Sequence, residues 1–234
     1  MTTPFPGATS VSILDVYSWE APDGLPGGSP HLHTACSEGY VVVGGAGRVQ
    51  TLDASGFRET PLRDGSVVWF GPGVIHRLVN EGGLRIVVVM QNNGLPEAGD
   101  AVLTFPDVHL ASAEDYARVA ALTPGDEAAS ARRRQALAVE GFTRLRSDVE
   151  REGPAALEAF YAAAADLVSP KVPRWRDTWH AGPAASVAAT ARQLDALEAG
   201  APSHLAEGRV SAQDGTPRFG MCGRLSTYTF DPTG

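Results

Sequence analysis

Cysteine is scarce in this chain of 234 residues, which contains two: Cys36 and Cys222. Two thiols this far apart do not form the disulfide framework of a small secreted protein. The N-terminal residues also lack a charged segment followed by an apolar one, so no secretory signal is visible. These observations predict a protein of the reducing cytoplasm.

Long hydrophobic runs and an excess of positive charge are lacking as well. No window approaches the roughly 18 uncharged apolar residues that a membrane helix needs. The chain has 19 lysines and arginines against 27 acidic residues, a formal net charge of -8. This balance argues against nucleic acid or an anionic membrane as the partner, and the run from Arg132 to Arg134 is interpreted as a solvated helix face. A small molecule is the expected partner.

What the chain does have in its first half is a series of β-rich segments separated by glycine. Strands are predicted over residues 11–19, 40–43, 48–52, 66–70, 76–80 and 84–91. Several short strands at this spacing predict a sandwich or barrel. Continuous apolar runs such as residues 86–90 predict burial on both faces, beneath a helix or a second sheet.

After Pro106 the pattern becomes helical and rich in alanine. Ser112 and Asp115 resemble a capping box ahead of a helix that reaches about residue 122. Longer helical stretches follow over residues 126–152, 154–168, 173–180 and 183–199, and residues 218–230 are again β-rich. The predicted division is a β domain over 1–107, a helical extension over 108–217, and a C-terminal strand over 218–234 that returns to the first sheet.

Two tryptophans in the helical half share one helical face because they are four residues apart. Trp175 and Trp179 are expected to anchor the helices on the β domain. The alternative is that they form the roof of a ligand pocket.

Chemistry is concentrated between Pro30 and Glu38. Residues two apart in a strand point to one face, so His31 and His33 present both imidazoles to one point. Glu38 opens the next β segment, and His76 opens another one directly after a glycine-rich turn. Imidazoles and a carboxylate are common ligands of divalent transition metals. Taken alone, however, His-X-His is more often a pair of polar residues on the solvent face of an edge strand.

Two segments in register strengthen the metal interpretation, because together they resemble the two motifs of the cupin superfamily. The first motif is His-X-His, four residues, Glu, six residues and Gly; the second is Gly, a β run, a Pro/Gly turn, His and Asn. The matching residues are His31, His33, Glu38 and Gly45 in the first, and Gly65, Gly73, His76 and Asn80 in the second. On these residues the chain is identified as a member of the cupin superfamily.

The resemblance implies an antiparallel jelly-roll β-barrel, followed by an α-helical region and a late C-terminal β-strand. It also implies one divalent metal ion inside one mouth of the barrel, with His31, His33, Glu38 and His76 as its ligands. The ligand set does not choose between Fe, Mn, Zn and Ni. Cupin barrels often pair through their outer sheets, so a homodimer is expected.

Three further residues are expected to line a substrate pocket: Tyr40, Leu78 and Gln91. Alternation after His76 puts Leu78 inward and Arg77 outward. The favoured function is a metal-dependent enzyme of the dioxygenase type that acts on a small organic molecule. The alternatives are a sugar or keto-acid isomerase or lyase that uses the metal as a Lewis acid, and a small-ligand-binding or sensory module without turnover.

Overall fold

A computed structural model describes residues 5–229; the ends of the predicted N-terminal and C-terminal segments, residues 1–4 and 230–234, lie outside this range. The described part of the first half is β-structure, and two further strands follow the helices. The strands are β1 (Ser10–Val16), β2 (His31–His33), β3 (Glu38–Asp53), β4 (Gly56–Arg63), β5 (Val67–Phe70), β6 (Ile75–Met90), β7 (Ala101–Leu103), β8 (Thr216–Phe219) and β9 (Gly223–Thr227).

All of these strands form one antiparallel sheet with the order β4-β3-β6-β1-β9-β8. The strand β5 pairs with β3, β2 pairs with β6, and β7 pairs with β2. Among residues 5–229, the strands of this sheet do not close into a continuous hydrogen-bonded ring. The predicted fold class, a jelly-roll β-structure with helices and a late C-terminal strand, is confirmed.

Strands β3 and β6 each span two of the strands that the sequence pattern predicts. The glycine signals at residues 44–45 and 82–83 do not reverse the chain; instead, the paired strands bend there together, with register shifts between Val42 and Gly47. Gly45 has φ +71°, and a Cβ on it would lie 2.2 Å from the carbonyl oxygen of Gly83. Only glycine fits this close approach of two backbones.

The shared bend brings the two ends of the long strand pair together. Glu38 pairs with Met90, which lies 14 positions after His76 in β6. At about 3.3 Å per residue, a straight strand would hold Met90 and His76 roughly 45 Å apart. The ligand atoms of Glu38 and His76 nevertheless lie within 4.8 Å of each other. The bend therefore creates the site.

The helices follow the predicted order with small changes at their ends. They are α1 (Asp107–Leu110), α2 (Ala113–Ala120), α3 (Glu127–Glu152), α4 (Glu158–Val168), α5 (Val172–Trp179) and α6 (Ala185–Glu198). Ser112 caps α2 as predicted, because its hydroxyl oxygen accepts a hydrogen bond from the Asp115 N–H at 3.1 Å. None of the helices within residues 5–229 combines the length and the apolar character that crossing a bilayer requires.

Helix α3 packs closely on the β-structure through small and polar residues. A Cβ on Gly141 would lie 2.0 Å from the carbonyl oxygen of Thr104, which explains glycine in mid-helix. The Gln135 amide donates to the carbonyl oxygen of Gly27 at 2.6 Å. The interpretation of the arginine run as a solvated face is wrong for Arg134, which is buried and donates to the carbonyl oxygens of Ala120 and Gly220.

The expectation that Arg77 points to solvent is also wrong. Its side chain does leave the face that carries His76, but the loop at residues 20–27 covers it, so that Arg77 is 1% exposed. The guanidinium forms an ion pair with Asp23, with Nη2 3.1 Å from Oδ1, and also donates to the carbonyl oxygen of Leu25. A buried cation needs such partners because burial removes its hydration.

The ion pair between buried Arg77 and the exposed residue Asp23 leads to a stability prediction. We expect Asp23→Ala to lower the free energy of unfolding by roughly 1–3 kcal/mol, because it leaves the buried Arg77 guanidinium without its counterion. Urea denaturation of the variant and the parent protein measures the difference. The matched control is Asp15→Ala, which breaks the exposed Asp15–Arg85 pair and is expected to cost less than about 1 kcal/mol. Equal effects of the two substitutions would contradict the role of the Asp23–Arg77 pair.

Candidate metal centre

Three strands bring four predicted residues to one buried point. His31 and His33 lie on β2, two residues apart, and His31 pairs directly with His76 of β6. Glu38 is the first residue of β3. All four side chains are buried, and each offers one ligand atom within 4.8 Å of the others.

Short distances join the facing atoms of this four-residue cluster. The Nε2 atom of His76 lies 3.1 Å from Nε2 of His31 and 2.9 Å from Oε2 of Glu38. The Nε2 atom of His33 lies 3.3 Å from the same carboxylate oxygen. The cluster therefore has the imidazole nitrogens grouped around one oxygen of Glu38.

Each imidazole is fixed by a hydrogen bond at Nδ1, the ring nitrogen that faces away from the cluster. The Nδ1 atoms of His31 and His76 lie 2.9 Å and 3.0 Å from the carbonyl oxygens of Ser29 and Val74. A carbonyl only accepts hydrogen bonds, so each Nδ1 carries a proton, and in the neutral ring Nε2 is then the atom that presents a lone pair. Outer hydrogen bonds of this kind orient histidines that bind metals.

The Nε2 atoms and Oε2 of Glu38 that face one another form an electron-rich site that suits a cation. The Nε2 atoms of His31 and His76 face each other across 3.1 Å, and Oε2 of Glu38 is buried 2.9 Å from Nε2 of His76 and 3.3 Å from Nε2 of His33. At most one of two facing Nε2 atoms can donate to the other, and a buried carboxylate needs compensating positive charge. A divalent cation satisfies all of these atoms at once. The residues present fit a metal ion.

Asp100 holds the third imidazole, and no sequence motif marks this residue. Oδ2 of Asp100 lies 3.1 Å from Nδ1 of His33, and Oδ1 accepts hydrogen bonds from the N–H groups of Thr34 and Ala35. The residue is fully buried. A lone aspartate before the short apolar strand β7 gives no local signal. Only the pairing of Ala101 with His33 brings it to the site.

The electrostatics of the cluster give His31 and Glu38 the charge states that metal ligands need. Burial, followed by the nearby His76 and His33, lowers the pKa of His31 well below its usual range, so this ring is neutral at pH 7. Burial opposes ionisation of Glu38, but His76 and His33 outweigh it and hold the pKa of the carboxyl well below its usual range. Glu38 is therefore ionised.

The third imidazole, that of His33, lies between the carboxylates of Asp100 and Glu38. Burial disfavours its charge, but Asp100 and Glu38 outweigh burial and raise the pKa of His33 to about 9. Burial likewise opposes the charge of Asp100, but hydrogen bonds from His33 and Thr34 lower its pKa to about 2. A metal ion at Nε2 of His33 has to displace a proton. The affinity for the metal therefore decreases as the pH is lowered.

The three residues predicted to line a substrate pocket lie in different places. Tyr40 is buried beside the cluster, with its ring centroid 6.3 Å from that of His76, and it lines a cavity there. Leu78 is fully buried in the core. Gln91 is exposed, and its Oε1 accepts a hydrogen bond from the Ser37 N–H at 3.3 Å. The structure brings only Tyr40 of the three to the cluster.

A cavity of about 530 Å³ opens beside the cluster and is lined by His31, His33 and Glu38. Its volume lies within the roughly 300–1,000 Å³ typical of small-molecule sites. Part of its wall comes from β8 and β9, which follow the helical half; Cys222, just before β9, lies with Sγ 4.0 Å from Nδ1 of His31. No sequence pattern predicts this contribution of the C-terminal strands to the cavity wall.

A second cavity of about 750 Å³ lies between the β-structure and helices α4 and α5. Trp175 and Trp179 both line it, as does His33. Trp175 is buried and donates from Nε1 to the carbonyl oxygen of Ala98 at 3.3 Å, whereas Trp179 is 41% exposed. Trp175 therefore anchors α5 on the β-structure, and both tryptophans also form the wall of a cavity.

Comparison with solved structures finds only distant likeness. A Klebsiella pneumoniae protein with a double-stranded β-helix domain has 17% identity and a TM-score of 0.30, over 38% of this chain and 70% of that one. A Streptomyces nucleoside dehydratase, solved with uridine, has 14% identity and a TM-score of 0.32, over 42% and 69%. A Bacteroides fragilis cupin protein has 16% identity and a TM-score of 0.26, over 35% and 62%.

Sequence comparison is more specific about the family. A search of curated proteins finds no match. The family profile described as "Cupin domain" matches residues 19–90, a segment that contains all four residues of the cluster. The resemblance of this segment to the cupin superfamily is therefore confirmed.

Proposed function

We propose that this protein is a metal-dependent enzyme that acts on a small organic molecule in the cavity beside the cluster. The observation that carries the proposal is the convergence of three imidazoles and the buried carboxylate of Glu38, whose ligand atoms all lie within 4.8 Å of one another. Such an arrangement suits a cation better than any packing role. The adjoining cavity gives a substrate access to the same point.

Four side-chain atoms would hold the metal: Nε2 of His31, His33 and His76, and Oε2 of Glu38. Four protein donors leave one or two positions open on a six-coordinate ion, and an open position is what distinguishes catalytic from structural sites. The carbonyl oxygens of Ser29 and Val74 and the carboxylate of Asp100 keep the rings in place. The ligands would therefore need little rearrangement on binding.

Within this function, an oxygenase is the reaction class that we favour. An isomerase or lyase needs a group that moves a proton, and the cavity offers few. Burial raises the pKa of Tyr40 and of Cys222, so both keep their protons. The Glu97 carboxylate at the cavity accepts a hydrogen bond from the Gly94 N–H at 2.9 Å. A redox-active ion such as iron would supply the binding of dioxygen and substrate that an oxygenase requires.

Metal content tests the ligand assignment directly. Protein purified without a histidine tag should contain about one divalent ion per chain, measured by elemental analysis. His33→Ala and His76→Ala should each abolish stoichiometric binding, because each removes a donor. His180→Ala is the matched control, since this exposed histidine lies outside the cluster, and its metal content should not change. Full occupancy in both cluster variants would refute the four-residue site.

The role of Asp100 is tested through metal affinity. Asp100→Asn should weaken binding by roughly 10- to 100-fold, because it removes the charge that orients His33. Competition with a chromophoric chelator measures the change. Asp15→Asn removes an exposed carboxylate outside the cluster and should have no effect. Equal affinity of Asp100→Asn and the parent protein would show that His33 does not depend on this carboxylate.

Oxygen consumption separates the reaction classes. Protein loaded with Fe(II) should consume dioxygen when a panel of small organic acids, sugars and phenols is added, and His76→Ala should not. An oxygen electrode records the rate, and product analysis by mass spectrometry shows whether oxygen is incorporated. Turnover with Zn, Ni or Mn and no oxygen uptake would favour an isomerase or lyase instead. Binding without turnover for every metal would indicate a non-catalytic ligand-binding protein.

A further inference from the structure

The C-terminal strands complete the cavity beside the cluster. Strand β9 pairs with β1 over residues 12–16, and β8 pairs with β9. The turn between β8 and β9 is held from two sides, because the carbonyl oxygen of Gly220 accepts hydrogen bonds from the Tyr17 hydroxyl at 2.9 Å and from Arg134 of α3. This wall is therefore fixed in position by the rest of the fold.

The register of β8 and β9 determines which side chains face the cavity. Arg218 pairs with Leu225, and directly paired residues in an antiparallel sheet share one face. Both residues line the cavity. The neighbouring pair, Phe219 and Arg224, lies on the opposite face, where the Arg224 guanidinium stacks on the Phe219 ring at 4.1 Å. The two arginines of these strands thus have different surroundings.

Arg218 contributes a permanent positive charge to the cavity wall, although the residue as a whole is exposed to solvent. The lining also holds His33 of the cluster and two carboxylates: Glu38 of the cluster, and Glu97, which accepts the Gly94 N–H. Within residues 5–229, no ion pair involves Arg218. A guanidinium that lines a cavity without a protein counterion is suited to bind a carboxylate of a ligand, with two parallel hydrogen bonds.

The cavity between the cluster and Arg218 is largely apolar. Leu14, Val88, Met90 and Leu225 line it, together with small polar residues of β1. Such a lining favours a ligand with a hydrocarbon body. The cluster itself favours an oxygen atom, because a divalent ion with three neutral imidazoles and one carboxylate keeps a net positive charge.

We infer that the substrate is a small carboxylic acid whose carboxylate binds Arg218 and whose second oxygen-bearing group faces the four-residue cluster. This inference rests on the proposed function, since it takes the cavity as the substrate site. Arg218 is then a specificity-determining residue that lies outside the matched cupin segment. The class of acid is one with a mainly apolar body between its two polar ends.

Binding of a designed ligand series tests this assignment without a known substrate. The probes are ω-hydroxy carboxylic acids of increasing chain length, each compared with its uncharged primary amide, on zinc-loaded protein by isothermal titration calorimetry. We expect one or more acids to bind, and the matched amides to bind at least about tenfold more weakly, because a charge-assisted hydrogen bond is lost. Arg218→Gln should weaken binding of the acid by a similar factor, and Arg218→Lys by less.

The matched control is Arg224→Gln, which removes the same charge from the outer face of the same strands and should leave binding of the acid unchanged. Zinc content is measured in every variant. Equal binding of acid and amide, equal binding by Arg218→Gln and the parent protein, or no binding of any acid to fully zinc-loaded protein would each overturn the assignment. Failure of the parent protein to bind zinc or another divalent ion would refute the proposed function instead.

Discussion

The shared bend of β3 and β6 is the constraint on which the site depends. Both ends of this strand pair carry residues of the cluster, Glu38 at one end and His76 at the other. The two ends meet because glycines at the bend allow the backbones to approach more closely than any side chain permits. A residue with a Cβ at Gly45 would affect the site without touching it, since the distance between Glu38 and His76 is set at the bend.

Charge balance then determines what the assembled site can do. Burial alone would neutralise a carboxylate, yet Glu38 stays ionised because imidazoles surround it. The rings are fixed in turn by Ser29, Val74 and Asp100, each of which holds an Nδ1 atom. The cluster is thus prepared for a cation by two layers of contacts. The outer layer includes Asp100, which comes from a loop beyond the matched cupin segment.

The parts of the chain outside that segment are integrated with the site. Helix α3 holds the turn between β8 and β9 through Arg134, and α5 is anchored through Trp175 beside a second cavity. The strands β8 and β9 close one side of the cavity that faces the cluster. The proposed substrate specificity therefore comes from residues that the cupin motifs do not include, which is consistent with the rule that a fold does not define a substrate.

The sequence by itself predicted β-structure followed by helices, and its resemblance to the two cupin motifs predicted the four residues of the cluster, because strand alternation and motif spacing are local properties. It did not distinguish a bend from a turn at residues 82–83, since glycine permits both. It also did not reveal that Arg77 and Arg134 are buried, because the covering loop and the carbonyl partners come from distant parts of the chain. Only the tertiary structure placed Asp100 behind His33 and Arg218 on the cavity wall. Strand pairing over long sequence separations decides such neighbours, and no local pattern encodes it.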